Sequence, residues 1–172
     1  MQNIYLIGMM GSGKSSTGKV LAGLARMAFV DLDDEIESQT RMTINEIFEK
    51  KGEPFFRAEE KKTLNRVALE MNTVVATGGG LVLDPANGAK MRQTGRVIYL
   101  AASFETLWAR VKDKRDRPLI AVSDPKATFL KLYEARRPLY EAAGVGRAET
   151  DGKSPEEVAE KIFEEFLKVK KI

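Results

Sequence analysis

The segment Gly8-Met9-Met10-Gly11-Ser12-Gly13-Lys14-Ser15 directly follows the apolar run Ile4-Tyr5-Leu6-Ile7, so a Gly-x4-Gly-Lys-Ser loop stands where a strand hands over to a helix. Such a loop cradles phosphate. Its glycines let backbone N–H groups turn inward, Lys14 brings a cation to the β/γ bridge of a nucleoside triphosphate, and the Ser15 hydroxyl can ligate Mg²⁺. The helix expected over 14–26 aims the positive end of its dipole at the same anion. Strand, loop and helix in this order favour a nucleotide site over an incidental Gly-rich turn. Gly11, Ser12, Gly13, Lys14, Ser15 and Ser16 are its candidate contacts.

The rest of the chain alternates short β-rich runs with amphipathic stretches. Strands are expected near 3–7, 28–31, 73–77 and 96–100, with a weaker one at 146–150. Helices are expected near 14–26, 34–50, 57–71, 86–93, 104–112, 125–142 and 155–168. Ser103, Asp124-Pro125 and Ser154-Pro155-Glu156-Glu157 supply start signals for the last three. Alternation of this kind gives an α/β fold, a parallel sheet covered on both faces and joined by right-handed crossovers. Pro138 should kink or end the helix that carries Arg136.

With 172 residues, 43% of them hydrophobic, the chain can bury one sizeable core and is too short for two full domains. Cysteine and histidine are both absent, which excludes disulfides and Cys-based zinc sites and leaves proton transfer to carboxylates, lysine or water. The net charge of +3 is spread among interleaved acids and bases, as in Glu59-Glu60-Lys61-Lys62, which suits small anionic substrates better than nucleic acid. No apolar run approaches the ~20 residues of a membrane span. A cytoplasmic monomer with no membrane or nucleic-acid partner is the expectation.

Ligands of an open parallel sheet collect beyond the carboxyl ends of its strands. The second strand runs into Asp31-Leu32-Asp33-Asp34, and in extended chain Asp31 and Asp33 fall on one side. Asp31 can support the Mg²⁺ shell, and Asp33 can orient or deprotonate an acceptor hydroxyl; the competing reading is that these acids cap the next helix. The third strand ends in Gly78-Gly79-Gly80, with no acid. Either the main chain approaches a ligand there and donates N–H groups, or the strand ends in a turn of unusual dihedrals. Arg57, Arg117 and Arg136 offer guanidinium groups for carboxylate or phosphate, although any one of them taken singly reads as a surface residue. The segment 112–124, charged at its start and apolar in Leu119-Ile120-Ala121-Val122, reads as a lid that would deliver Arg117 to the transferring phosphoryl group, against the alternative of a solvated loop.

Taken together these motifs resemble the shikimate kinases. The resemblance covers essentially the whole chain: the Gly-x4-Gly-Lys-Ser loop, Asp31-x-Asp33, Phe56-Arg57-x-x-Glu60, Gly78-Gly79-Gly80, Arg117-Pro118-Leu119 and Arg136-x-Pro138-Leu139-Tyr140. It implies a single P-loop kinase domain over 1–172, with a three-layer sandwich around a five-stranded parallel sheet of order 2-3-1-4-5. A substrate-binding segment near 32–60 and a lid at 112–124 would complete it. It implies transfer of the ATP γ-phosphoryl group to the 3-hydroxyl of shikimate, with Mg²⁺ as cofactor. On that pattern Lys14, Asp33 and Arg117 are catalytic. Asp33, Arg57, Gly78, Gly79, Gly80 and Arg136 hold shikimate, Ser15 and Asp31 serve the metal, and Arg110 with the loop 149–155 frames adenine. A kinase for gluconate or a nucleoside monophosphate, and a nucleotide-dependent switch that phosphorylates nothing, are the competing readings.

Overall fold

The computed structural model describes residues 2–113 and 123–167. Five strands, β1 (Asn3–Ile7), β2 (Ala28–Asp31), β3 (Thr73–Ala76), β4 (Gly95–Ala101) and β5 (Gly146–Glu149), form one sheet in the order β2-β3-β1-β4-β5. Every pairing is parallel, with Ile4 opposite Val74 on one side and Arg96 on the other. The architecture and strand order expected from the sequence are both observed.

The strand period of two sorts the core into two layers. Tyr5, Ile7, Val75, Val97 and Tyr99 pack on one face, whereas Ile4, Leu6, Val74, Ile98 and Leu100 pack on the other. The second layer is closed by α1 (Lys14–Ala25) and α8 (Pro155–Ile162), through Leu21, Ala22, Val158, Ala159 and Ile162. Each buried Leu, Val or Ile among them contributes ~1.5–3 kcal/mol by leaving water. Truncating Leu6, which is fully buried between the layers, to Ala costs ~2–5 kcal/mol. Among the described residues no helix is long and apolar enough to cross a membrane.

The single helix expected over 34–50 is two, α2 (Leu32–Thr40) and α3 (Ile44–Lys50). Arg41 turns left-handed at φ 54°, and Thr43 opens α3 with a capping box: its hydroxyl accepts from Glu46 N–H while the Glu46 carboxylate accepts from Thr43 N–H. The helix expected from 57 starts earlier, as α4 (Glu53–Val67), with Pro54 in its first turn. Together α2, α3 and α4 close a small core of Ile36, Ile47 and Phe56 beside the main one. After β3 come a short 3₁₀ turn (Leu81–Leu83) and α5 (Pro85–Thr94).

Beyond β4 lie α6 (Phe104–Val111) and α7 (Pro125–Ala143). Of the two outcomes expected of Pro138, an end to the helix is not observed: α7 runs through it to Ala143. Proline forfeits one hydrogen bond to the carbonyl four residues back, here that of Glu134. Both residues are exposed, so water can take that carbonyl, while Tyr140 and Ala143 anchor the following turn in the core. The last helix is shorter than expected: α8 ends at Ile162 and passes into a π-helical turn over Phe163–Leu167.

Candidate active site

The phosphate loop joins β1 to α1 at the carboxyl end of the sheet. Gly11 and Gly13 stand at φ 83° and 89°, a region where a Cβ is strained, and Gly13 is itself the residue that opens α1. Ser12 N–H donates to Met9 O at 3.1 Å and closes the turn. Lys14 folds along the loop, its Nζ donating to Gly8 O at 2.8 Å and Met9 O at 2.9 Å. A cavity of about 490 Å³ opens over this loop and is lined by Gly11, Ser12, Gly13, Lys14, Ser15 and Ser16. Arg110 lines it too, pinned by Gly11 O at 3.0 Å and Thr150 O at 3.2 Å, with Thr150, Lys153 and Pro155 from the loop after β5 alongside. The two segments expected at the adenine end therefore meet.

Ser15 donates its hydroxyl to Asp31 Oδ2 at 2.5 Å, and Asp31 Oδ1 accepts from Asp33 N–H at 3.0 Å. Asp31 is thus both a partner of the loop serine and the N-cap of α2, so the two readings of this acid hold together. Asp33 does not lie in extended chain, as strand alternation would have it; it sits in the first turn of α2. The helix nevertheless turns it toward the same cleft as Asp31, and both line the two cavities described here.

The neighbouring cavity, about 480 Å³, is lined by Asp33, Asp34, Phe48, Phe56, Arg57, Glu60, Gly78, Gly79, Gly80 and Arg136. It shares Met10, Ser15, Asp31, Asp33 and Gly79 with the first, so the two form one continuous cleft. Arg57 reaches it from α4, held by Glu53 Oε1 at 2.8 Å and by an ion pair with Glu60. Arg136 reaches it from α7 and is 4% exposed. Glu60 is buried; desolvation pushes its carboxyl up to about 7 against the opposing pull of Arg57. Burial likewise raises Asp34, with Asp31 adding to the effect.

Unusual dihedrals do not explain the glycine run, since none of the three has positive φ, but close neighbours explain its first and last members. A Cβ on Gly78 would fall 2.2 Å from Glu60 Oε1, and one on Gly80 2.3 Å from an Arg57 nitrogen. Glycine at 78 and 80 is room for Glu60 and Arg57, whereas a Cβ on Gly79 would meet nothing nearer than 3.6 Å.

A sequence model of the shikimate kinase family matches residues 10–167. The shikimate kinase of Persephonella marina is 43% identical over 163 residues, which are 95% of this chain and 98% of that protein. The chain belongs to the shikimate kinase family. Its fold agrees closely with solved members. The Acinetobacter baumannii shikimate kinase, in complex with shikimate, superimposes with a TM-score of 0.92 at 38% identity, over 95% of this chain and 92% of that one. The Aquifex aeolicus shikimate kinase gives a TM-score of 0.83 at 35% identity, over 94% of each.

Of the site residues expected of a shikimate kinase, all but one line the shared cleft. Arg117, with most of the expected lid, lies outside the described residues. Glu60 belongs to the Phe56-Arg57-x-x-Glu60 motif but had no role assigned to it, although it stands three residues after Arg57 on one helix face, a spacing that brings two side chains together. Tyr140 was likewise left without a role, and that residue is taken up below.

Proposed function

We propose that the chain transfers the γ-phosphoryl group of ATP to the 3-hydroxyl of shikimate, giving shikimate 3-phosphate and ADP. The observation that carries this reading is the continuity of the two cavities: a phosphate cradle opens directly into a cavity bearing one carboxylate at the junction, Asp33, and two arginines beyond it, Arg57 and Arg136. A cyclic hydroxy acid suits that polarity. Its carboxylate pairs with the two guanidinium groups, and its hydroxyl faces Asp33 and the phosphates.

Transfer is direct and in line. A bond forms between the acceptor oxygen and the γ-phosphorus as the bond from phosphorus to the β,γ-bridging oxygen breaks, and ADP takes that electron pair. Lys14 and the amides of 11–15 neutralise charge on the phosphates. Asp33 orients the hydroxyl and accepts its proton, the chain having no histidine for that task. Arg57, Arg136 and the main chain of 78–80 fix the ring, which converts an encounter into a near-attack geometry. Arg110 and the loop after β5 frame the adenine. Arg117 completes the cage from the 112–124 lid, in a single domain spanning 1–172 whose 32–60 segment receives the acceptor.

Mg²⁺ fits the donors present. Ser15 and Asp31 supply hard oxygens already joined to each other, and among the described residues no cluster of three or more His, Cys, Asp or Glu side chains forms a full protein cage. A cation that keeps its water and takes most of its ligands from phosphate suits such a pair; when bound, it offsets negative charge on the nucleotide.

Product analysis tests the regiochemistry. In the NMR spectrum of a completed reaction, one phosphomonoester coupled to the proton on C3 of shikimate is expected. Phosphorus coupled to the proton on C4 or C5 would overturn the proposed orientation in the cavity.

A further inference from the structure

We infer that Tyr140 is a positioning residue for the acceptor, its hydroxyl holding the Gly79 carbonyl and thereby the main chain at the junction of the two cavities. The inference rests on the shikimate reading given above. Tyr140 stands one turn after Arg136 on α7 and is 1% exposed. Its hydroxyl donates to Gly79 O at 2.5 Å and lies 3.8 Å from Met9 Sδ. Met9 belongs to the phosphate loop, where its carbonyl accepts from Lys14. One hydroxyl therefore touches the loop that cradles phosphate and the loop that lines the acceptor cavity.

Gly79 lines both cavities, and Tyr140 lines neither. A buried tyrosine hydroxyl needs some partner, and any core acceptor would satisfy it. Its partner here lies in a run of three glycines, which has no side chains of its own to hold its peptide planes in place. The bonds made to those planes set their direction. The peptide is trans, so the Gly80 N–H points opposite to the Gly79 carbonyl; a carbonyl held toward α7 turns that N–H away from α7. Gly80 in turn abuts the Arg57 guanidinium, so a drift of this peptide disturbs the seat of Arg57. Burial keeps the phenol above its ordinary range, so it stays a donor throughout the working pH range.

The test is Tyr140→Phe, which keeps the ring and its stack on Tyr99 and removes only the hydroxyl. Tyr99→Phe, which removes the hydroxyl from the other ring of the same stack, is the control for hydroxyl loss at that place in the core. The expected result for Tyr140→Phe is an acceptor KM raised about three- to tenfold, the scale of one lost hydrogen bond, with the ATP KM unchanged. Tyr99→Phe should match the parent enzyme throughout. An unmoved acceptor KM, a joint loss of ATP and acceptor affinity, or a Tyr140→Phe chain that does not fold would make the hydroxyl a structural contact only and overturn the inference. A parent enzyme inert toward shikimate would remove the reading beneath the inference, an outcome distinct from a parent that phosphorylates shikimate with a KM the variant does not change.

Discussion

Ser15 donates to one oxygen of Asp31 at 2.5 Å while the other oxygen caps α2 through Asp33 N–H at 3.0 Å. One carboxylate thus ties the phosphate loop to the element that carries the catalytic candidate. Asn is as good an N-cap as Asp, but it lacks the charge and carries an NH2 in place of the oxygen that accepts from Ser15. Asp31→Asn should therefore melt close to the parent temperature yet need roughly tenfold more Mg²⁺ for half-maximal rate, as expected for loss of a residue that supports the metal. An unchanged Mg²⁺ requirement would leave Asp31 as a cap alone.

Asp33 is the carboxylate assigned to the transferring proton. Asp33→Asn keeps the size and the hydrogen-bonding reach of the side chain but cannot take a proton. Folding and ATP binding should persist, measured by circular dichroism and nucleotide titration, while turnover falls about 100-fold or more. Near-normal turnover would rule out Asp33 as a required base.

Glu60 sets a stability profile of definite sign. Its carboxyl rises from 4.5 to about 7 on folding, mainly through desolvation, so between those values the folded chain binds more protons than the unfolded one. Stability from this group is complete below about 4.5 and is lost as pH rises through about 7. Urea midpoints taken across that window should show a downward contribution that Glu60→Gln abolishes. A parent and a variant with parallel profiles would contradict it.

Gly80→Ala tests the steric reason for the glycine run. The new Cβ would sit 2.3–2.5 Å from the Arg57 guanidinium, which as the end of a flexible side chain can move aside. The expected outcome is a modest loss of thermal stability and an acceptor KM raised about tenfold, the scale of a weakened charge-assisted bond, with the ATP KM unchanged. A parallel rise in both constants would place the damage in the fold instead.

The strands were legible because each is a short β-rich run whose ends are marked by glycine, acids or a capping residue, and a sheet buried on both faces leaves little ambiguity in such runs. The break between α2 and α3 was visible in Thr43-x-x-Glu46 but lost under the continuing amphipathic pattern around it, and it hinges on a left-handed Arg41 that no propensity announces. The phosphate loop and Arg57 could be read locally. Tyr140 could not be read so, because its partner Gly79 lies on another element far away in sequence and the contact exists only after the sheet has formed. The choice left open at Pro138, between a kink and an end, needed the fold for a related reason: its cost falls on an exposed carbonyl, and only the packed positions of Tyr140 and Ala143 show that the helix does not end there.

The most direct measurement is Mg-ATP-dependent ADP release with shikimate, quinate, gluconate or a nucleoside monophosphate as acceptor, with Lys14→Ala as the blank. The expected result is a low basal rate, stimulated strongly by shikimate alone and abolished in the blank. Stimulation by another acceptor, or by none, would leave the phosphate loop and its fold intact but contradict the assignment of Arg57 and Arg136 to the carboxylate of shikimate.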